Sequence, residues 1–426
     1  MRVRWASIAV AGALLVPLVA HAAGYAIYEQ GAAALGKGGA TTASVHDASA
    51  LFYNPAAVVD LGKHELLFGG TWLTTRTSFA GMDPQPGFGT TEEMKPGNFP
   101  LPTLYLTRMH GSKWAYGVGV NAPFGLGVEW KDPDTFSGRQ IVTKADLRAL
   151  NANASLSWAP ASWLSLGGGF DMLFAKVELQ KRVNFIPTTG GQPRDDAAVT
   201  LKSGYRNGTG WNAGALVKPN DRWSFGAAYR SQIDVAIDDG EAKFEQIMSG
   251  DPARDALIAA NMPPGQPVKT KLKFPGSFSL GMAWKPTPEW TWELDGNWTQ
   301  WTAFDALDLA FPSQPSLNQT IVENYNDSYR VSLGGEHRMT ASTWRYGYYW
   351  DQAAAPTESV SPLLPDAARH GATLGYGRPL GRMWLDIYDL ALFVEKRSTE
   401  GRERDSFDGV YKSFVNALGA SITCSW

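Results

Sequence analysis

Residues 290–300 read WTWELDGNWTQ, and the two alternate faces of this stretch differ completely. Trp290, Trp292, Leu294 and Trp298 fall on one side of an extended chain. Thr291, Glu293, Asp295, Asn297 and Thr299 fall on the other, because successive side chains of a strand point to opposite faces. Large apolar groups against carboxylates, hydroxyls and an amide are the pattern of a strand with lipid outside and a polar lumen inside. The chain end repeats it, with Phe414, Leu418, Ala420, Ile422, Cys424 and Trp426 opposed to Ala417, Gly419, Ser421 and Thr423.

Outward from this stretch, alternating segments recur from His64 onward, near 64–80, 99–109, 114–122, 150–159, 163–182, 209–218, 223–235, 270–284, 290–304, 328–338, 343–350, 368–378, 384–398 and 413–426. The spacing predicts an all-β fold, a transmembrane antiparallel barrel of fourteen strands over residues 63–426. The connections alternate strictly in length. Short ones, such as PAS at 160–162, PNDR at 219–222 and PLGR at 379–382, separate long ones such as 123–149 and 236–269. Outer-membrane barrels have short periplasmic turns and long outer loops, whereas a soluble sandwich has no reason to segregate loops by length. Each short turn is followed within two residues by tryptophan: Trp114, Trp163, Trp223, Trp290, Trp344 and Trp384. An indole prefers the headgroup level, apolar on its body and wet at its N–H, so these six mark one membrane edge.

Composition agrees. The 426 residues include 45 Gly, 17 Trp, 15 Tyr and 19 Phe, with 19% charged residues and a net charge of −3, which gives no basic block for nucleic acid. A single cysteine, Cys424, excludes an internal disulfide framework and a Cys-based zinc site, and no cofactor is expected. Arg2 and Arg4, an apolar run from Ala6 to Ala20 and Ala20-His21-Ala22 form a signal peptide over residues 1–22, removed on export. The run is too short to span a bilayer as a helix.

Between leader and first strand lies HDASALFYNPAAVVDL, residues 46–61. Asn54 can cap a helix and Pro55 suits its first position, which predicts one or two turns over Pro55–Asp60; Asn-Pro equally marks a surface turn. A fourteen-stranded lumen is too wide to stay closed unaided, and residues 23–62 are the one piece of chain available to plug it as a hatch.

GYAIYEQGAAALGKGGA (24–40), NPAAVVDL (54–61), NAPFGL (121–126), Phe136-Ser-Gly-Arg139, GWNAG (210–214), YRS (229–231) and DSYRVSLG (327–334) run in one order along the chain. In these motifs the sequence resembles the FadL-like outer-membrane transporters of long-chain fatty acids and aromatic hydrocarbons. The resemblance implies an outer-membrane location, a hatch, no enzymatic activity, and passive uptake with lateral release through a gap at a kinked third strand. On this reading Asn121, Pro123, Phe124 and Gly125 make the kink, since Pro123 cannot donate to a ladder and Gly125 permits a bend. Asn54, Pro55 and Ala56 are expected to face that gap as hatch or gate.

The ligand pocket is expected at Leu173, Val177, Leu179 and Lys181, which share the inward face of the fifth strand. Lys181 falls where fatty-acid carriers of the family have a basic residue, while Asn326 replaces a second one, which leaves neutral hydrocarbons open as ligands. The outer loops are expected to offer a capture groove, with Leu257, Ile258 and Met262 on a short helix beside Phe185 and Ile186. Expected partners are a hydrophobic ligand, outer-membrane lipid and detergent, and the barrel assembly machinery through the last strand ending in Trp426; the barrel is expected to act as a monomer. Two other classes compete: a general diffusion porin, and an outer-membrane lipid-hydrolysing enzyme. For the latter the chain has no GxSxG, HExxH or P-loop, and its six histidines are scattered.

Overall fold

The computed structural model describes residues 24–185 and 195–426, so the expected signal peptide lies outside the described residues. Fourteen antiparallel strands form the barrel: Glu65–Gly81, Gly97–His110, Trp114–Glu129, Lys144–Ala161, Leu164–Val183, Arg206–Asn220, a seventh in two pieces (Trp223–Arg230, Ile233–Gln246), an eighth in two pieces (Gln266–Phe274, Ser277–Thr287), Trp290–Thr299, Ser328–Arg338, Thr343–Asp351, Arg369–Leu380, Met383–Val394 and Gly409–Ser425. The first strand pairs with the last from Glu65 opposite Ser425 to Gly81 opposite Gly409. This pairing closes the sheet, so neither terminal strand presents a free edge to the hydrocarbon, where an unpaired N–H or C=O costs several kcal/mol.

Several strands run beyond the expected limits at the long-loop end. The fourth begins at Lys144, the seventh reaches Gln246 and the eighth starts at Gln266. The outward face loses its apolar residues where lipid stops, but the backbone ladder continues, with Lys202, Arg206, Lys269 and Lys271 paired to Glu241, Asp239, Asp238 and Asp234 on neighbouring strands. The ninth strand ends earlier than expected, at Thr299, where Trp301 turns fully inward.

The two faces sort as the alternation requires. Trp292, Leu294, Phe414 and Leu418 are exposed on the outside, whereas Glu293, Asp295, Ala417 and Ser421 are buried inside. At the short-turn edge Trp114 stacks on Trp158 at 5.4 Å and Trp223 on Trp284 at 6.0 Å across adjoining strands, and Trp290 on Trp292 at 5.6 Å within one strand, so the girdle is doubled by further aromatics.

Residues 24–62 fill the lumen with two short helices, Ala32–Gly36 and Ala50–Tyr53, and a 3-10 turn, Pro55–Leu61. Asn54 caps that turn, its side chain accepting from Ala56 N at 3.1 Å with Pro55 following. The ninth strand holds the segment in place. Asp295 Oδ2 accepts from Thr41 N at 2.8 Å and Thr42 N at 2.9 Å, and Glu293 Oε1 from Ala43 N at 2.6 Å. Close approach elsewhere needs bare wall: a Cβ on Gly167 would stand 2.4 Å from the Pro55 carbonyl carbon, and one on Gly214 would stand 2.2 Å from Asn54 Oδ1.

Candidate functional site

The wall is not continuous. The second strand pairs with the first from Gly97 to Thr107, but with the third only from Leu104 opposite Val120 to His110 opposite Trp114. The third strand stays bonded to the fourth as far as Glu129 opposite Lys144, across a bulge between Asn121 and Phe124. An extra residue on one strand bends it away from its other neighbour. Residues 97–103 and 121–129 therefore part, and the two edges meet again only where Met94 bridges Trp130 and Lys95 N donates to Glu129 O at 2.7 Å. The result is a framed window. Pro100 and Pro102 lie on its edge, and a proline has no N–H to leave unpaired there.

The N-terminal segment bonds to the kink. Ile27 N donates to Pro123 O at 2.8 Å, and Gly125 N donates to Tyr25 O at 3.0 Å. The Gln30 amide clasps Ala122 on both sides, accepting from its N at 3.1 Å and donating to its O at 2.8 Å. These residues take the place of the lost strand partner for Ala122, Pro123 and Gly125.

Behind the window lies a cavity of about 500 Å³. Leu73, Phe99, Leu126, Leu147, Leu392 and Val415 give it apolar walls, and the Phe99 ring closes against Gly127, where a Cβ would stand 2.1 Å from Phe99 Cζ. Its charged lining is Glu29, Asp146, Arg148, Arg330, Asp366 and Arg369. A larger cavity, about 1190 Å³, opens at the short-turn end among Asp47, Lys63, Glu336, Arg338, Arg345 and Asp386. Its walls are more polar than those of the first and ion-paired, with Arg345 held by Glu336 and Asp386 at 2.7 and 2.6 Å.

Several expected positions differ from those found. Phe124 and Gly125 line the cavity at the kink, but the third strand continues through Pro123 instead of ending near it. Asn54, Pro55 and Ala56 do not face the window. They pack on strands four to six, with Asn54 Nδ2 donating to Ala215 O at 3.2 Å, Ser157 Oγ donating to Ala56 O at 2.8 Å and Pro55 lying over Gly167. The residues at the kink are Tyr25, Ile27 and Gln30; Pro100-Leu-Pro102 and the position of YEQ before the first helix were the signals in the sequence.

Leu173, Val177, Leu179, Lys181 and Asn326 are absent from the cavity lining. Leu173 is fully buried, and Val177 and Leu179 pack against the same apolar cluster, so that side of the lumen is solid. Asn326 is exposed, its N–H donating to Ala354 O. In the outer loops the helix forms over Pro252–Asn261, capped by Asp251, with Leu257 exposed and Met262 half-buried. Ile258 is fully buried and cannot present itself for capture, because Arg254 ties the helix to Asp196 at 2.6 Å. Phe185 approaches Phe244 at 6.2 Å, and Ile186 lies outside the described residues.

A lipid-facing barrel, a filled lumen and an apolar cavity against an open seam in the wall define an outer-membrane transporter of hydrophobic compounds. The chain belongs to the family of outer membrane transport proteins OMPP1/FadL/TodX, whose model matches residues 13–399. Outer membrane protein P1 of Haemophilus influenzae is 25% identical over 396 residues, covering 84% of this chain and 82% of that protein. Among solved structures, a Pseudomonas aeruginosa FadL homologue is similar with a TM-score of 0.82 at 20% identity, over 94% of this chain and 99% of the other. The P. putida toluene transporter TodX is similar with a TM-score of 0.74 at 18% identity, over 93% and 98%. Homologues of this family are outer-membrane proteins and transport channels, and the outer membrane is where this barrel resides.

Proposed function

We propose that this protein admits hydrophobic small molecules to the cavity behind the third strand and releases them sideways into the bilayer between the second and third strands. The observation that carries the reading is the window itself, an unpaired seam whose two edges, Phe99–Pro102 and Phe124–Val128, are also walls of the cavity. Lateral exit has an energetic basis. At about 0.8 kcal/mol per buried CH₂, a long acyl chain resists transfer into periplasmic water by on the order of 12 kcal/mol, and passage into lipid avoids that cost. The cavity volume, about 500 Å³, suits such a ligand, since small-molecule sites span roughly 300–1,000 Å³.

The kinked third strand is the gate on this reading, and Tyr25–Gln30 is its latch. Uptake of labelled hydrocarbon or fatty acid by cells carrying the protein tests it. Deleting Pro123 removes the one extra residue of the bulge and lets the third strand realign with the second. Uptake is expected to fall to the level of cells without the protein while the barrel still assembles. Unchanged uptake by an assembled deletion variant would exclude the lateral route.

A further inference from the structure

Glu29 is the one group in the cavity whose chemistry the transport reading leaves unused. It is 7% exposed and lines the cavity, yet among the described residues no hydrogen bond or ion pair reaches its carboxylate. Three of its neighbours are occupied. The next residue, Gln30, clasps Ala122, and Tyr53 Oη donates to Tyr28 O at 2.8 Å. Tyr388 Oη shares a hydrogen bond with Thr71 Oγ1 at 2.8 Å. Its oxygens open onto the cavity, so a ligand that displaces water from them must supply a donor or leave a charged acceptor unpaired at a cost.

The other polar groups restrict what that donor can belong to. Arg369 is committed to Asp351, Nη2 to Oδ2 at 2.9 Å. Asp366 accepts the N–H groups of Gly24, Ala354 and Ala355. Arg330 lies flat between the rings of Tyr28 and Tyr349, at 4.7 and 3.6 Å, and donates to Gly38 O and Ser332 Oγ without a carboxylate partner. The cavity lining thus sets Glu29, Asp146 and Asp366 against Arg148, Arg330 and Arg369, three acids to three bases, with Arg148 paired to Asp146, and Glu29 and Arg369 are close enough to act on each other electrostatically. An incoming carboxylate meets no surplus of positive charge here, and it cannot donate to Glu29. A hydroxyl group can donate, and its oxygen remains free to accept.

Resting on the uptake reading above, we propose that Glu29 is a specificity residue that accepts a hydrogen bond from a ligand hydroxyl, so that this cavity takes alcohols and phenols in preference to carboxylates. The test uses the full barrel in detergent, with displacement of the fluorescent hydrophobe N-phenyl-1-naphthylamine by 1-dodecanol or dodecanoate, on the parent, Glu29→Gln and Glu29→Leu, each checked for heat-modifiable migration of the folded barrel. The parent is expected to bind 1-dodecanol roughly tenfold or more tightly than dodecanoate, as befits a hydrogen bond to a charged acceptor. Glu29→Leu should abolish that preference, and Glu29→Gln, whose amide oxygen still accepts, should retain part of it. Equal binding of alcohol and carboxylate by the parent, or a preference untouched in Glu29→Leu, would overturn the proposal while leaving hydrophobe uptake intact. Failure of the parent to bind the probe or either ligand would instead count against the uptake reading.

Discussion

Asp366 Oδ1 accepts the backbone N–H of Gly24 at 3.1 Å, which ties the outer loop before the twelfth strand to the start of the segment that bonds to the kink. Its second oxygen takes the N–H groups of Ala354 and Ala355 at 2.8 and 2.9 Å. One carboxylate therefore couples a loop to the latch.

Burial pushes the Asp366 carboxyl up to about 7 from its ordinary 3.8, against the three N–H donors and Arg369, which pull the other way. A raised acid binds its proton more tightly in the closed arrangement than in an open, hydrated one. The stabilisation is fully present below about 4 and is lost as pH rises through about 7. Hydrogen exchange of residues 24–30 should accelerate between pH 5 and pH 8, and Asp366→Asn should remove that pH dependence. Exchange independent of pH in the parent beyond the intrinsic chemical rate would disprove the coupling.

Gln30→Ala strips both partners from Ala122 and leaves a buried N–H and C=O unpaired, each at about 1–3 kcal/mol. Residues 121–126 should lose exchange protection while the first and last strands keep theirs. Gln30→Glu, which can still accept from Ala122 N, should show a smaller loss.

Wall glycines under the N-terminal segment form a separate test. Gly214→Val places a side chain where Asn54 Oδ1 now sits, so the segment should be displaced and ion conductance in planar bilayers should rise. Gly296→Ala, where a Cβ meets nothing within 4 Å, should behave as the parent. Equal conductance in both would mean that the lumen is closed by something other than this contact.

Phe99→Ala removes the ring that covers Gly127 within the window. Release of a small hydrophobe through the wall should become faster, read as the rate of cellular uptake, with barrel assembly unaffected.

The barrel was legible in the sequence because lipid and lumen impose opposite chemistry on alternate residues, as at Glu293 and Leu294, and because the membrane edge selects tryptophan at every short turn. The upper strand ends were not, since above the lipid the outward face turns charged, as at Lys269 and Lys271, while the apolar residues move to the inward face, as at Val268 and Leu272. Inward alternation alone also could not separate cavity from packing. Leu173 and Leu147 look alike in sequence, yet Leu173 lies against filled space and Leu147 against the cavity, a difference set by how the loops and residues 24–30 fill the lumen. Asn54-Pro55-Ala56 was legible as a capped turn but not in its placement, which Gly167 and Gly214 on distant strands determine.

The most direct measurement of the central claim is photo-crosslinking of a diazirine-bearing hydrophobe during uptake by cells, followed by peptide mapping of the barrel. Lateral passage predicts adducts along both window edges, residues 97–103 and 121–128. Adducts confined to the charged short-turn cavity around Lys63, Lys218 and Arg338 would show that the ligand leaves through the end of the barrel and would contradict the account.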